Sequence, residues 1–353
     1  MIRYKSMNRK AVALLSGGLD STLAILAVLK QGVEVRAIKF QTPFDADVSH
    51  KASGSYPFSN ARRFCFDIEL CSLGDRFFDI LKDPKHGYGK NMNPCIDCRI
   101  LMLKEAKQFM NMIGADFIIT GEVLGQRPMS QRKDMLYHID REAGVTALVL
   151  RPLSAKLLKI TTSEQRGLIN REILYNFSGR SRKPQMALAR EFGLEDYPAP
   201  AGGCLLTEPN YAYRLKELMT SGPAPSMRDI DLLRIGRHFR FSPLCKIMIG
   251  RDEVENEIIE SLATDTDCLL RVEGYGSPLT LVTGEISGDV LKIAASLCAR
   301  YSDAKDLPGV DVSVFIKNLK KYSVDVQPAG DDILKEYRIE LNKKSGKHVI
   351  RTK

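Results

Sequence analysis

Two stretches of the chain carry residues whose types and spacing suit chemistry. The first is Ser16-Gly17-Gly18-Leu19-Asp20-Ser21. It lies between an apolar run, Ala11 to Leu15, and the helical apolar spacing of Leu23, Leu26, Ala27 and Leu29. That pattern predicts a buried strand, a tight glycine turn and a helix stopped at Gly32. Unpaired amides at a helix N-terminus favour an anion, and glycines let a phosphate come close to them. Asp20 and Ser21 fall in the first turn, where they either cap the helix or face a nucleotide and its Mg²⁺. A glycine kept for helix–strand packing is the plain structural alternative. The second stretch is Asn93-Pro94-Cys95-Ile96-Asp97-Cys98, ahead of a helix read from about Arg99 to Ile113, with Cys204 behind Gly202-Gly203 far downstream. A Cys-x-x-Cys pair at a helix N-terminus suits either a reactive thiolate or two ligands of one metal or iron–sulfur cluster. Two buried cysteines remain the structural alternative.

The elements that must position these residues alternate along the chain. Val33 to Phe40 and Ile68 to Leu73 read as strands, with a helix beginning near Ser59 between them and a loop over 41–56. Ala115 to Thr120 is a short apolar strand running into Gly121-Glu122, and Thr146 to Leu150 is another. Strands alternating with helices predict a parallel α/β sheet, in which ligands sit beyond the carboxyl ends of the strands. Phe40 and Gly121, at two such ends, are therefore counted with the nucleotide site. Ser163 to Phe192 reads as helical with a basic break over 178–183, and a further helix begins at Tyr211. Residues 221–226 read as a linker, and short strands and helices follow.

Composition bounds the class. The chain has 353 residues and a formal net charge of +9, which points to a polyanionic partner. No apolar run is long enough to span a bilayer and the first residues lack a signal-peptide core, so the expected place is the cytoplasm, without a membrane partner. Eight scattered cysteines are not a secreted disulfide framework. Cys65, Cys71, Cys245, Cys268 and Cys298 sit in apolar contexts and are expected in the core. The five histidines have no ligand-like spacing and are expected at the surface. Arg127, Arg180, Arg182 and Lys183 form basic clusters suited to phosphates, and Arg251, Lys317 and Lys320 continue this in the C-terminal part. The oligomeric state is left open.

The glycine string lacks the spacing of a Walker-type loop. It resembles the SGGxDS loop of the ATP pyrophosphatase (PP-loop) family, which cleaves ATP between its α and β phosphates and adenylates a substrate. Taken with Asn93 to Cys98, the Thr120-Gly121-Glu122 turn, Gly179 to Lys183 and Pro198 to Thr207, residues 8–219 resemble the tRNA thiouridylases and 4-thiouridine synthetases of that family. The resemblance implies a Rossmann-like (adenine nucleotide alpha hydrolase-like) sheet with helices on both faces. It implies ATP at Ser16, Gly17, Gly18, Asp20 and Ser21, a uridine in tRNA as substrate, and sulfur transfer through Cys95 and Cys204 with Asp20 as a catalytic group. The third thiol, Cys98, departs from the two-cysteine pattern. Three thiolates at Cys95, Cys98 and Cys204 fit a [4Fe-4S] cluster with one iron left open, and a persulfide relay without a cluster is the alternative. The sulfur donor would be sulfide or a persulfide carrier. Gly250 to Asn256 with Ala299 to Lys305 resembles the RNA-binding domain of the NFACT proteins, a small α+β module.

The expected organisation is an adenylation domain over 1–175, an extension with the Gly-Gly-Cys motif over 176–236, the RNA-binding domain over 237–342 and a basic tail over 343–353. An RNA-binding protein with a regulatory ATP site, and an ATP pyrophosphatase that uses ammonia on a small molecule, are the other readings.

Overall fold

An apolar strand buried on both faces is the first regular element, β1 (Lys10–Leu14), and the next is α1 (Leu19–Leu29). The structure is a computed structural model that describes residues 9–44, 57–198, 204–221, 225–316 and 322–341. Contacts divide the chain into one unit ending at Cys204 and a second beginning at Leu205.

The first unit continues with β2 (Glu34–Gln41), α2 (Phe58–Phe64), β3 (Asp67–Ser72), α3 (Gly74–Lys82) and α4 (Cys95–Met112). It closes with β4 (Phe117–Thr120), α5 (Lys133–Glu142), β5 (Val149–Leu150), α6 (Thr162–Gln165) and α7 (Lys183–Glu191). The five strands form one parallel sheet in the order β3-β2-β1-β4-β5. Alternation along β1 sends Ala11 and Ala13 into a core with α1 and α7, which pack against each other. Val12 and Leu14 point to the other face, where α4 lies on β1 and β4 and α3 and α5 adjoin α4. Helices thus cover both faces, as expected for a Rossmann-like sheet. The strand order reverses between β1 and β4, so the crevice beyond their carboxyl ends is where such a sheet takes its ligand.

The reading of 163–192 as helical is corrected. Only α6, a 3₁₀ turn at Arg171–Ile173 and α7 form there. Gly167 takes a left-handed φ of +66°, and Leu168, Ile169 and Leu174 are buried in the sheet core. Their spacing therefore reflects burial of a winding segment rather than one helix.

The second unit comprises α8 (Pro209–Thr220), α9 (Met227–Leu232), β6 (Arg237–Ser242), β7 (Cys245–Ile249), α10 (Glu253–Leu262), β8 (Cys268–Val272), β9 (Thr280–Gly284), α11 (Gly288–Arg300), β10 (Val310–Ile316), β11 (Tyr322–Val326) and α12 (Asp331–Tyr337). Its six strands are antiparallel in the order β11-β10-β8-β9-β7-β6. One face packs on α11 and the other contributes Met248 and Leu281 to a smaller core with Leu232 and Ile259. This is the expected α+β module.

Cys245, Cys268 and Cys298 are buried as expected, but Cys65 is exposed. It ends α2 in the left-handed region at φ +57°, which turns its side chain out of the core. The surface expectation for histidine fails at His238, which is 1% exposed and donates through Nε2 to the Ile235 carbonyl at 2.7 Å. His50 and His348 lie outside the described residues.

Lys246, on β7 beside Arg240, is also buried and makes no ion pair among the described residues. Burial lowers its pKa from the usual 10.5 to about 8, with Glu217 pulling the other way. The folded value lies below the unfolded one, so stability rises with pH between about 8 and 10.5, where only the unfolded chain still binds the proton. Lys246→Met is therefore expected to gain on the order of 2 kcal/mol at pH 7. Urea unfolding should show that gain fading by about pH 10.

Candidate nucleotide and thiol site

Local geometry makes the glycine turn a cradle. Gly17 has a φ of +77°, and Gly18 caps α1 without any side-chain hydrogen bond to the first-turn amides. Those amides are left for a ligand or water. Ser16 Oγ accepts from the Gly18 amide at 3.3 Å and lies 3.1 Å from Ser21 Oγ, which donates to the Gly18 carbonyl at 2.9 Å. The hydroxyls thus hold the turn's shape. Phe40 is buried at the end of β2, on one flank of the turn.

The other flank is the turn after β4. A Cβ on Gly121 would stand 2.4 Å from the Ser21 amide nitrogen and 2.6 Å from the Asp20 carbonyl carbon. Only glycine lets this turn press onto the start of α1. Gln126 reaches back and donates from Nε2 to Asp20 Oδ2 at 2.9 Å. Asp20 Oδ1 and the side-chain amide of Gln185 on α7 are both buried without a well-formed hydrogen bond, and the Gln185 amide lies near enough to Asp20 to help lower its pKa. Burial pushes the Asp20 carboxyl up, while Gln126 and the charges of Arg182 and Arg127 pull it down. An orphaned carboxylate oxygen beside unpaired amides fits a nucleotide phosphate with its metal ion: the amides take the anion and the carboxylate oxygen takes the cation.

Glu122, next in the chain, is the hub of a buried ion network. Its Oε2 accepts from Thr120 Oγ1 at 3.0 Å and from Arg151 Nε at 2.9 Å, and Arg99 Nε lies 3.1 Å from Oε1. Arg151 completes the network with two bonds to Asp140, at 2.7 and 2.8 Å. Burial works to raise the Glu122 pKa, but the charges of Arg99 and Arg151 outweigh it and hold the carboxyl below its ordinary range.

Arg99 joins this network to the cysteines. The helix read as starting at Arg99 begins at Cys95, with Pro94 as its cap. Cys95 and Cys98 therefore stand one turn apart at its N-terminus, both half-buried. Asp97 between them accepts from the His86 amide at 2.9 Å and from His86 Nδ1 at 2.8 Å. His138 Nε2 is 3.0 Å from His86 Nε2, and Arg141 donates to His138 Nδ1 at 3.1 Å. Arginine only donates, so with both rings neutral His138 donates to His86 and His86 to Asp97. These histidines, expected at the surface, are part of the thiol helix's anchorage.

Cys204 is half-buried, with Sγ 3.9 Å from the Phe44 carbonyl. Gly202 and Gly203 lie outside the described residues. Among the described residues no group of three His, Cys, Asp or Glu side chains lies close enough to hold a single metal ion.

The basic residues divide. Arg180 is exposed and Arg182 half-buried on a loop whose Gly179 amide donates to the Leu124 carbonyl at 2.8 Å, and the exposed Lys183 begins α7. That bond ties the loop to the turn carrying Gln126 and Arg127. Arg251 is paired with Glu255 at 2.6 Å, and Lys317 and Lys320 lie outside the described residues.

Sequence reasoning gave no role to Gln126, Gln185, Glu122 or Arg151. Gln185 had a signal: with Leu188 and Ala189 it falls on the buried stripe of α7, where a polar residue is out of place.

Comparison with known proteins adds a family to each unit. Residues 6–160 match the family described as thiamine biosynthesis protein (ThiI). Residues 236–338 match the NFACT protein RNA binding domain. The chain is 34% identical over 131 residues to the tRNA-specific 2-thiouridylase MnmA of Clostridium acetobutylicum, covering 33% of this chain and 36% of that protein. It is 33% identical over 162 residues to a probable tRNA sulfurtransferase of Lysinibacillus sphaericus, covering 45% and 39%. The chain thus spans little more than a third of the length of these curated relatives. A solved 4-thiouridine synthetase–RNA complex with bound ATP aligns over 54% of this chain and 52% of that chain, at 22% identity and a TM-score of 0.33. No helix among the described residues is long and apolar enough to cross a membrane. Residues 6–160 are thus similar to the ThiI family and residues 236–338 to the NFACT RNA-binding domain.

Proposed function

We propose that the protein is a cytoplasmic ATP-dependent tRNA sulfurtransferase, which adenylates a uridine carbonyl oxygen and replaces it with sulfur. One observation carries this reading. The Glu122–Arg99 pair, at 3.1 Å, couples the turn pressed onto the nucleotide cradle to the helix that begins with Cys95 and Cys98. Activation and thiol chemistry are thereby held on one frame.

In this reading the amides around Gly17 and Gly18 hold the phosphates, and Ser16 and Ser21 keep the turn in shape. Asp20 takes Mg²⁺, and Phe40 and Gly121 border the nucleotide. The uridine oxygen attacks the α-phosphorus, the bond to the β-phosphate breaks, and pyrophosphate leaves. The carbonyl oxygen, a poor leaving group, departs afterwards as AMP when sulfur attacks the activated carbon. In the thiol route the terminal sulfur of a persulfide on one of Cys95 and Cys204 attacks. The other thiolate then cleaves the sulfur–sulfur bond, which frees thiouridine and leaves a disulfide for an outside reductant. A [4Fe-4S] cluster is the other route. It would take Cys95, Cys98 and Cys204 as its three protein ligands. The second unit supplies an RNA-binding surface with Arg251, Lys317 and Lys320 as its proposed contacts, and Arg127, Arg180, Arg182 and Lys183 are the proposed contacts of the first unit. The proposed domain limits are 1–175, 176–236, 237–342 and 343–353.

Unmodified tRNA should stimulate conversion of ATP to AMP and pyrophosphate. Cys95→Ala and Cys204→Ala should keep that conversion and lose thiouridine by about a thousandfold or more. Activity that survives Cys98→Ala, in protein without iron, selects the thiol route. About four irons per chain, lost in each of the three variants, selects the cluster. An RNA-binding protein with a regulatory ATP site would release no AMP with tRNA, and that result overturns the enzyme reading.

A further inference from the structure

In the second unit Tyr275 is 53% exposed, in the middle of the loop that joins β8 to β9. The backbone on both sides of it is fixed. The Val272 amide donates to Ser277 Oγ at 2.9 Å, and the Asp303 amide donates to the Gly276 carbonyl at 2.8 Å. Gly274 takes a left-handed φ of +80°, and a Cβ on Gly276 would run into the Asp303 carboxylate. The loop is therefore closed tightly while the ring it carries stands in solvent. Leu279, at the end of the loop, accepts from the Gly250 amide at 3.0 Å and donates to Asn256 Oδ1 at 2.8 Å. Those bonds join the loop to the turn carrying Arg251, and the Asp303 bond joins it to the segment carrying the exposed Lys305. The stretches 250–256 and 299–305 thus meet at the Tyr275 loop.

We propose that Tyr275 is a stacking platform for an unpaired base, so that the second unit takes single-stranded or looped-out RNA rather than duplex. This rests on the reading of that unit as an RNA-binding surface, and it names the form of RNA taken. The arginines beside the loop are already partnered: Arg251 is held by Glu255 at 2.6 Å, and Arg271 lies 4.0 Å from Glu273. Neutralised cations release few counterions from a nucleic acid, so phosphate contacts alone give this corner little affinity. An aromatic face gives more, because every base has a face of its own to lay on it. A ring whose loop is already fixed also loses little freedom on binding. In a duplex each base is covered by its neighbours, and the ring has nothing to cover. An unpaired base offers that face, with Arg251, Arg271 and Lys305 left to guide the flanking phosphates.

The test is equilibrium binding of the full chain to a single-stranded RNA oligomer without self-complementarity and to an RNA duplex of equal length. Wild type is compared with Tyr275→Ala, Tyr275→Phe and Tyr275→Trp. Tyr275→Ala should weaken the single strand by about 5- to 100-fold and leave the duplex within about twofold. Its salt dependence should match wild type, because no charge is lost. Tyr275→Phe and Tyr275→Trp keep the aromatic face and should keep the affinity. The chain has no tryptophan, so Tyr275→Trp adds a lone fluorophore that the single strand should quench and the duplex should not. Single-strand affinity unchanged in Tyr275→Ala, or both RNAs weakened equally, overturns the platform and leaves the RNA-binding reading standing. A loss in Tyr275→Phe as large as in Tyr275→Ala makes the hydroxyl the contact and overturns stacking. Wild-type protein that binds neither RNA overturns the RNA-binding reading itself.

Discussion

Arg151→Met is expected to destabilise the first unit by about 3–5 kcal/mol, the usual cost of removing one partner from a buried ion pair. Arg151 is 3% exposed, and three of its N–H groups go to Glu122 and Asp140, themselves 3% and 5% exposed. Methionine fills much of the same volume, so the loss comes from two buried carboxylates deprived of their cation rather than from a cavity. Glu122→Gln with Asp140→Asn, added to Arg151→Met, removes the stranded charges and should recover a large part of the loss.

The pH dependence separates this account from simple misfolding. In the wild type the folded Glu122 pKa lies below its unfolded value. Its contribution to stability is therefore present above the ordinary carboxylate range and lost as pH falls through the folded value. In Arg151→Met only Arg99 and the Thr120 hydroxyl remain to oppose burial, so the folded pKa of Glu122 rises and protonation relieves the variant first. The stability gap, measured by urea unfolding, should narrow from pH 7 to pH 4. A gap that stays constant would place the damage in packing.

The nucleotide cradle was legible because its signals are local. An apolar strand, two glycines, a carboxylate and a helical spacing occupy 22 consecutive residues, Ala11 to Gly32, and each observed feature follows from its neighbours. The anchorage of the thiol helix was not legible, because it is made of pairs brought together only by the sheet. Glu122 and Arg151 are 29 residues apart, and His86 and His138 are 52 apart. No spacing rule links them. The helix start was misread for a related reason. Asn-Pro reads as a turn, yet Pro94 serves as the cap and Asp97 is held by His86, so the first helical turn contains both cysteines. The stretch over 163–192 failed in the opposite sense, since buried leucines at helical spacing came from tertiary packing.

Gly121→Ala should weaken ATP binding by about a hundredfold or more, the scale on which a displacement near 1 Å at a site acts. It should also cost about 1–3 kcal/mol or more of stability through overpacking. The added Cβ would stand 2.4 Å from the Ser21 nitrogen, 2.5 Å from Ser21 Cα and 2.6 Å from the Asp20 carbonyl carbon. All three are backbone atoms of α1, so no side-chain rotation relieves them. The turn and the helix start must move apart, which withdraws Gln126 from Asp20 and shifts the amides over the cradle. Gly114→Ala is the control. It forces a left-handed φ of +64° in open space, should cost about 1–2 kcal/mol, and should leave ATP affinity alone. Calorimetric titration with Mg-ATP beside thermal unfolding reads both quantities. If Gly121→Ala loses stability but keeps wild-type affinity, the nucleotide does not depend on this corner. If both variants lose affinity in proportion to stability, the effect is global. Affinity lost only in Gly121→Ala ties nucleotide binding to the contact between the β4 turn and the start of α1.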